Sequence, residues 1–170
     1  MISPGNLAIT NAQQFLEKGV YTEDEKANPP KYVHNAQGCP IVEVKHKIGD
    51  KEYTFEVYDN VQNFTETRWQ RVVAVFINGH EWQFKDWKCG TQKRELFTRV
   101  RAYYLYYNGT KVPPTIESWN VLKLELPRYK RHQDINVYNL FWTDFEQFLK
   151  RDKFPGAGFW LINLKESFLK

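Results

Sequence analysis

Apolar residues alternate with polar ones along two neighbouring segments in the amino-terminal half of the chain. Every second residue of these segments is aliphatic or carries a ring: Val42, Val44, His46, Ile48, Tyr53, Phe55 and Val57. The two residues Gly49-Asp50 separate the segments, which is typical of a tight hairpin loop. Because alternation leaves one face of a strand to solvent, the pattern predicts a β-hairpin near a sheet edge.

A continuous apolar run predicts a strand of another kind. Residues 72–77 read Val-Val-Ala-Val-Phe-Ile, and Asn78-Gly79 ends the run. Strands covered by helices on both faces have this composition. The run therefore predicts a central strand of an α/β sheet.

Apolar residues at three- and four-residue spacing predict the helices. The longest predicted helix carries Val137, Leu140, Phe141, Phe145, Phe148 and Leu149, with Asp134 or Asn136 as its cap. A first helix is predicted from a capping box at Thr10–Gln13 to Gly19. A short helix is predicted over 95–101.

The remaining segments complete a mixed order of elements. Strands are predicted over 103–107 and 122–126, and a loop over 22–38. This order predicts an α/β fold, a three-layer sandwich with one antiparallel edge. We expect one domain over 1–170, with a core at 1–153 and a docked, partly helical tail at 154–170. The first four residues, Met-Ile-Ser-Pro, are unlike a signal peptide and suggest the cut edge of a longer protein, with a truncated first strand.

Composition restricts the possible functions. Hydrophobic residues make up 42% of the 170 residues and aromatic residues 16%, enough for a compact core. A net charge of +4 is compatible with nucleic acid or with acidic and phosphorylated peptides, but requires neither. No apolar run approaches membrane-spanning length. Cys39 and Cys89 lack zinc-site spacing and are expected to be free thiols.

Motifs for nucleotide chemistry are missing from the sequence. Gly5 is the only glycine near the first loop, and the second glycine and the lysine of a phosphate-binding loop do not follow it. No DxxG, NKxD or GxSxG pattern occurs either. We therefore expect no enzyme activity, no cofactor and no metal.

Basic and aromatic clusters are the candidate binding residues. Arg128, Lys130, Arg131 and His132 lie between a predicted strand and the long helix, where α/β sheets bind ligands. They could hold phosphate groups, or they could form a solvated turn. Trp82 and Trp87 could stack on a ligand, or they could fill a crevice beside the central strand. Arg68 and Arg71, just before that strand, are lesser candidates.

Two stretches resemble a known family. Residues 69–79 and 82–87 are similar to a signature of the parafibromin carboxy-terminal domain, and residues 124–132 with Phe141-Trp142 are similar to its second signature. The resemblance implies a Ras-like fold without GTPase motifs. It also implies a nuclear subunit of the Paf complex, which travels with elongating RNA polymerase II and supports histone modification and RNA 3′-end formation on chromatin.

The leading hypothesis is therefore a non-catalytic module that helps tether the Paf complex to RNA polymerase II. Its expected partners are other Paf subunits, and elongation factors or polymerase with acidic or phosphorylated tails. Weak, non-specific binding of DNA or RNA is the alternative. A purely structural role stays open, and a nucleotide hydrolase is suggested by fold class alone.

Overall fold

Among the residues that the structure describes, seven strands form one mixed sheet in the order β1-β2-β3-β7-β4-β5-β6. The computed structural model describes residues 7–22, 30–35, 38, 40–59, 61, 64–84, 87, 93–151 and 159–163. The strands are β1 Tyr32–His34, β2 Pro40–Ile48, β3 Lys51–Tyr58, β4 Val72–Phe76, β5 Arg101–Tyr107, β6 Val121–Leu126 and β7 Phe159–Asn163. The first three pair antiparallel, and β3, β7, β4, β5 and β6 run parallel.

Helices cover both faces of the sheet. They are α1 Ile9–Lys18, α2 Glu66–Trp69, α3 Lys93–Arg99, α4 Pro114–Ser118 and α5 Asp134–Arg151, with 3₁₀ turns at Glu81–Phe84 and Arg131–Gln133. Helices α1 and α5 share one core with the sheet, while α2, α3 and α4 share a second core on its other face. The predicted three-layer α/β sandwich with an antiparallel edge is confirmed.

Strand β5 shows how the sequence builds the two cores. Tyr103 and Leu105 belong to the α1–α5 side, whereas Ala102 and Tyr104 belong to the other side, and all four are buried. Successive side chains of a strand point to opposite faces, so a strand covered on both sides needs apolar residues at every position. All five residues of β4 are buried as well, which confirms the central strand.

The predicted hairpin is confirmed, with β2 and β3 joined by Gly49-Asp50. The predicted loop over 22–38 is wrong at Tyr32–His34, which add the short edge strand β1 beside β2. Helix α1 satisfies two further backbone groups of β2. The Gln13 amide donates to the carbonyl of Glu43, and the Glu17 carboxylate accepts the N–H of Lys45. Edge groups satisfied in this way are closed to other strands.

Helix α1 ends where predicted but begins differently. Gly19 adopts a left-handed conformation, with φ of 66°, and its N–H donates to the carbonyl of Phe15. The predicted cap at Thr10 is wrong, because Ala8 holds the N-cap position and caps with no side-chain hydrogen bond.

The expectation of helix in the tail is wrong for Phe159–Asn163. These residues are not helical but form β7, inserted between β3 and β4 and parallel to both. The rest of the predicted tail, 154–158 and 164–170, lies outside the described residues. The division of the chain into one domain with a core and a tail stays a prediction.

Replacing Gly19 with alanine should destabilise the protein by about 2–3 kcal/mol, because two costs add. A left-handed non-glycine residue costs about 1–2 kcal/mol, and a Cβ at this position would lie 2.7 Å from Cδ1 of Ile135. Gly49→Ala is the matched control, since Gly49 also has a positive φ, of 61°, but open space around it. Urea unfolding should show a larger loss for Gly19→Ala, and equal losses would contradict the close approach of α1 and α5.

Candidate functional site

The loop that follows β6 lies at the carboxyl edge of the parallel strands. We call residues 127–133 the basic loop. Lys130 and His132 are exposed, Tyr129 is 89% exposed, and Arg128 and Arg131 are half-buried. The structure thus divides the predicted basic cluster into residues that face solvent and residues that contact the protein.

Arg131 is bound by three segments of the chain. Its Nη2 lies 2.6 Å from the carbonyl oxygen of Tyr21 and 2.5 Å from Oδ2 of Asp134. Its guanidinium also lies 5.5 Å from the ring centroids of Tyr21 and Tyr107. The charge of Arg131 is therefore used inside the protein, which contradicts its predicted role as a free phosphate contact.

Asp134 is the buried partner of Arg131. It is 1% exposed, and its Oδ2 also accepts the N–H of Tyr21 at 3.2 Å. Burial raises the pKa of the Asp134 carboxyl above its ordinary value, and the charge of Arg131 opposes that rise. Among the described residues, Oδ1 has no hydrogen-bond partner. Arg131 thus compensates a carboxylate that has little other stabilisation.

Arg128 is also partly engaged with the protein. Its Nη2 lies 3.3 Å from Oγ1 of Thr110, and its guanidinium lies 5.5 Å from the ring centroid of Tyr107. Two arginines of the basic loop thus pack against the same tyrosine. Lys130 and His132 remain as the predicted residues that this loop exposes.

Trp87 does not offer an exposed stacking surface beside this loop. Trp87 is 5% exposed, and its ring lies 4.9 Å from that of Trp69 and 5.2 Å from that of Phe84. It fills the second core, so its predicted role in ligand stacking is wrong. The backbone of Trp82 lies in a 3₁₀ turn, and its side chain is outside the described part of the structure.

Arg68 and Arg71 lie at the other end of the sheet. They precede β4, whereas the basic loop follows β6, and these strands run parallel through β5. Five residues of strand separate the two ends by about 16 Å. Arg68 is 8% exposed and lies over the rings of Tyr58 and Phe64, while Arg71 is exposed. Arg68 and Arg71 therefore lie at the opposite end of the parallel strands from the basic loop.

The loop after β4 uses several of its polar groups for internal hydrogen bonds, although Nδ2 of Asn78 is buried without a partner among the described residues. The N–H of Asn78 donates to Oε1 of Gln83, and the N–H of His80 donates to Oδ1 of Asn78. Thr115 donates to the carbonyl of Gly79 at 2.7 Å. Backbone N–H groups that bind phosphate must point at the ligand. Here those of Asn78 and His80 are already used.

Several predicted features fall outside the described residues, namely Gly5, Cys39 and Cys89. Within the described part of the chain, no group of three or more His, Cys, Asp or Glu side chains is placed to hold a metal ion. No helix among these residues combines the length and the apolar character that crossing a membrane requires.

Sequence reasoning missed the residues that join α1 to α5. Tyr21 contacts Arg131 and Asp134 across more than a hundred residues of chain. Val20 and Ile135, beside these contacts, are exposed apolar residues. The sequence offered one sign of this contact, the acidic residue Asp134 at the start of a long helix. An acid at that position is equally expected when its side chain only caps its own helix, so the sign did not reveal the distant partner.

The strand order and a comparison with solved structures indicate the same class of fold. The chain is a Ras-like α/β domain, and it superimposes on a structure titled "The conserved domain of yeast Cdc73" with a TM-score of 0.75. That match has 30% sequence identity and covers 89% of this chain and 93% of the other.

The family follows from the sequence comparisons. Residues 2–148 match the family model described as "RNA pol II accessory factor, Cdc73 family, C-terminal", and the chain belongs to that family. It is 34% identical over 142 residues to Cell division control protein 73 of Saccharomyces cerevisiae, covering 83% of this chain and 35% of that protein. It is 33% identical over 150 residues to Protein CDC73 homolog of Arabidopsis thaliana, a match that covers 85% of this chain and 35% of that protein. The chain thus spans about a third of the length of these relatives.

Replacing Arg131 with alanine should destabilise the protein by about 2–4 kcal/mol, because it leaves the Asp134 carboxylate buried without its cation. Lys130→Ala, its exposed neighbour, should change stability by less than about 0.5 kcal/mol. Urea unfolding of both variants measures the difference. Equal stabilities would show that Arg131 is a surface cation after all.

The loss of folding stability caused by Arg131→Ala should become smaller as the pH falls. Without Arg131 the pKa of Asp134 rises further, so the native state takes up a proton at a higher pH than the unfolded chain does. The cost of the unpaired carboxylate is full above that pKa and is relieved below it. Unfolding of variant and parent at about pH 7.5 and about pH 5 tests this. In an Asp134→Asn background, the effect of Arg131→Ala should not depend on pH.

Proposed function

We propose that this chain is a non-catalytic interaction module of a nuclear transcription elongation complex, and that it helps tether the Paf complex to RNA polymerase II on transcribed chromatin. Membership of the Cdc73 family, described as an RNA polymerase II accessory factor, supports this class of function. Its partners are other Paf subunits and acidic or phosphorylated tails of the polymerase or of elongation factors.

The observation that carries the proposal is the exposure of Lys130 and His132 on a fixed loop. Arg131 and Asp134 attach the loop to α1, so these two side chains extend from a rigid base. Within residues 127–136, Asp134 is the only acid, and it is buried. Within residues 127–136, an anion that approaches the loop therefore meets positive charge and ring N–H donors and no exposed acid.

A peptide ligand agrees better with this geometry than a nucleotide does. The loop after β4 uses N–H groups of its own for internal hydrogen bonds, which removes donors that a bound phosphate would need. The proposed contacts lie instead on the outer surface of the basic loop. An extended, phosphorylated tail can reach such a surface without entering the fold.

Phosphorylated polymerase-tail peptides should bind more tightly than the same peptides without phosphate. The double variant Lys130→Gln/His132→Gln should weaken the phosphorylated complex about tenfold, because it removes both exposed contacts. Fluorescence anisotropy with labelled peptides measures this. Lys47→Gln, an exposed lysine on β2, is the control and should change little.

Two outcomes would overturn the proposal. Equal affinity for both peptides would mean that the loop does not recognise phosphate. Tighter binding to duplex DNA, with affinity that falls steeply with salt, would instead favour the nucleic-acid alternative.

A further inference from the structure

Three of the five large apolar side chains that the described residues expose belong to neighbouring segments of the fold. Val20 is 45% exposed, Ile135 is 42% exposed and Tyr129 is 89% exposed. They belong to the end of α1, the start of α5 and the basic loop between β6 and α5. Clustered apolar exposure, in contrast to scattered single residues, marks an interaction surface.

Direct contacts hold these segments together. A Cβ on Gly19 would lie 2.7 Å from Cδ1 of Ile135, and the N–H of Tyr21 donates to Asp134. Val20 is therefore placed between two residues that both touch the start of α5. Val20 and Ile135, both partly exposed, thus belong to segments that lie against each other.

This surface is formed in advance of any binding. Nε1 of Trp142, on α5, lies 3.0 Å from the carbonyl oxygen of Leu16 on α1, and Arg131 holds the carbonyl of Tyr21. Two helices and a loop are thus locked to one another by buried hydrogen bonds. A ligand would lose little affinity to the ordering of the protein.

Exposed basic residues belong to the same segments as the apolar side chains, namely Lys18, Lys130 and His132. Among the described residues 17–22 and 127–136 the acids are Glu17, which accepts the N–H of Lys45, and the buried Asp134. We name Lys18, Val20, Tyr129, Lys130, His132 and Ile135 the α1–α5 corner. A second copy of the chain docked symmetrically here would bring like charges together, which disfavours a dimer.

We infer that the α1–α5 corner binds an acidic protein segment that also carries a branched or aromatic apolar side chain. This rests on the proposed function and narrows its ligand class: the cations select an acidic segment, and Val20 and Ile135 bind its apolar residue. An acidic segment without an apolar side chain would leave Val20 and Ile135 exposed to water. Only an apolar contact removes that surface from water and so adds to the binding free energy.

Two synthetic peptides of about twelve residues test the inference. One contains Asp, Glu and Ser with two leucines near its centre, and the other has serine in place of both leucines. Isothermal calorimetry should show tighter binding of the leucine peptide. Ile135→Ser and Val20→Ser should each weaken that complex about fivefold to tenfold and leave the serine peptide unaffected.

Leu140→Ser is the matched control. Leu140 is 47% exposed on the same helix, but five residues beyond Ile135 it points about 140° away around the helix axis. The Leu140→Ser variant should bind the leucine peptide with the same affinity as the parent protein. Unfolding curves confirm that each variant is folded at the temperature of the measurement.

The outcomes separate this inference from the proposed function. If both peptides bind equally and Ile135→Ser has no effect, while Lys130→Gln/His132→Gln still weakens binding, the apolar contact is wrong and the basic site stands. If the lysine–histidine variant has no effect on any peptide, both fail. A concentration-dependent dimer that Ile135→Ser abolishes would replace the inferred ligand with a second copy of the chain.

Discussion

The pairing of Arg131 with buried Asp134 fixes the surface on which this domain can act. One guanidinium bonds a carboxylate and a backbone carbonyl, and it lies within cation–π distance of two tyrosine rings. The planar, delocalised cation of arginine can make such contacts at once, whereas the compact ammonium of lysine cannot. The contact joins the end of α1 to the start of α5, two places far apart in the chain.

This pairing also explains why a basic loop is rigid. Cations on a free loop lose conformational entropy when they bind an anion, which offsets part of the gain. Here two arginines pack inward against Tyr107, and the lysine and histidine between and after them are left outside. The half-buried arginines position the exposed residues, and the same attachment leaves Val20 and Ile135 at the surface. Charge and apolar exposure at the corner therefore have one structural origin.

Patterns within short segments predicted much of the fold. The hairpin, the buried strand β4 and the long helix α5 depend on local periodicity, and the sequence contains that in full. The candidate site was predicted less well, because burial of a charged or aromatic residue depends on distant partners. The inward orientation of Arg131 could not be predicted without knowing that Tyr21 lies beside it. In the same way, the burial of Trp87 could not be predicted without knowing that it packs against Trp69. Lys130 and His132 are exposed, as a binding role requires, but composition alone did not separate them from Arg131.

Strand β7 marks the limit of this local reasoning. Phe159–Ile162 are four consecutive apolar residues after Pro155-Gly156, and such short runs suit a buried strand as well as a helix. Only the pairing with β3 on one side and β4 on the other makes the run a strand. Because β3 and β4 are not neighbours, β7 joins the hairpin half of the sheet to the parallel half. Helix α1 packs on the hairpin half and α5 on β6, so the Arg131–Asp134 contact joins the same two halves across the helical layer. The candidate surface thus lies where the helices of the two halves of the sheet meet. Side chains from both halves contribute to it, and neither half could form it alone.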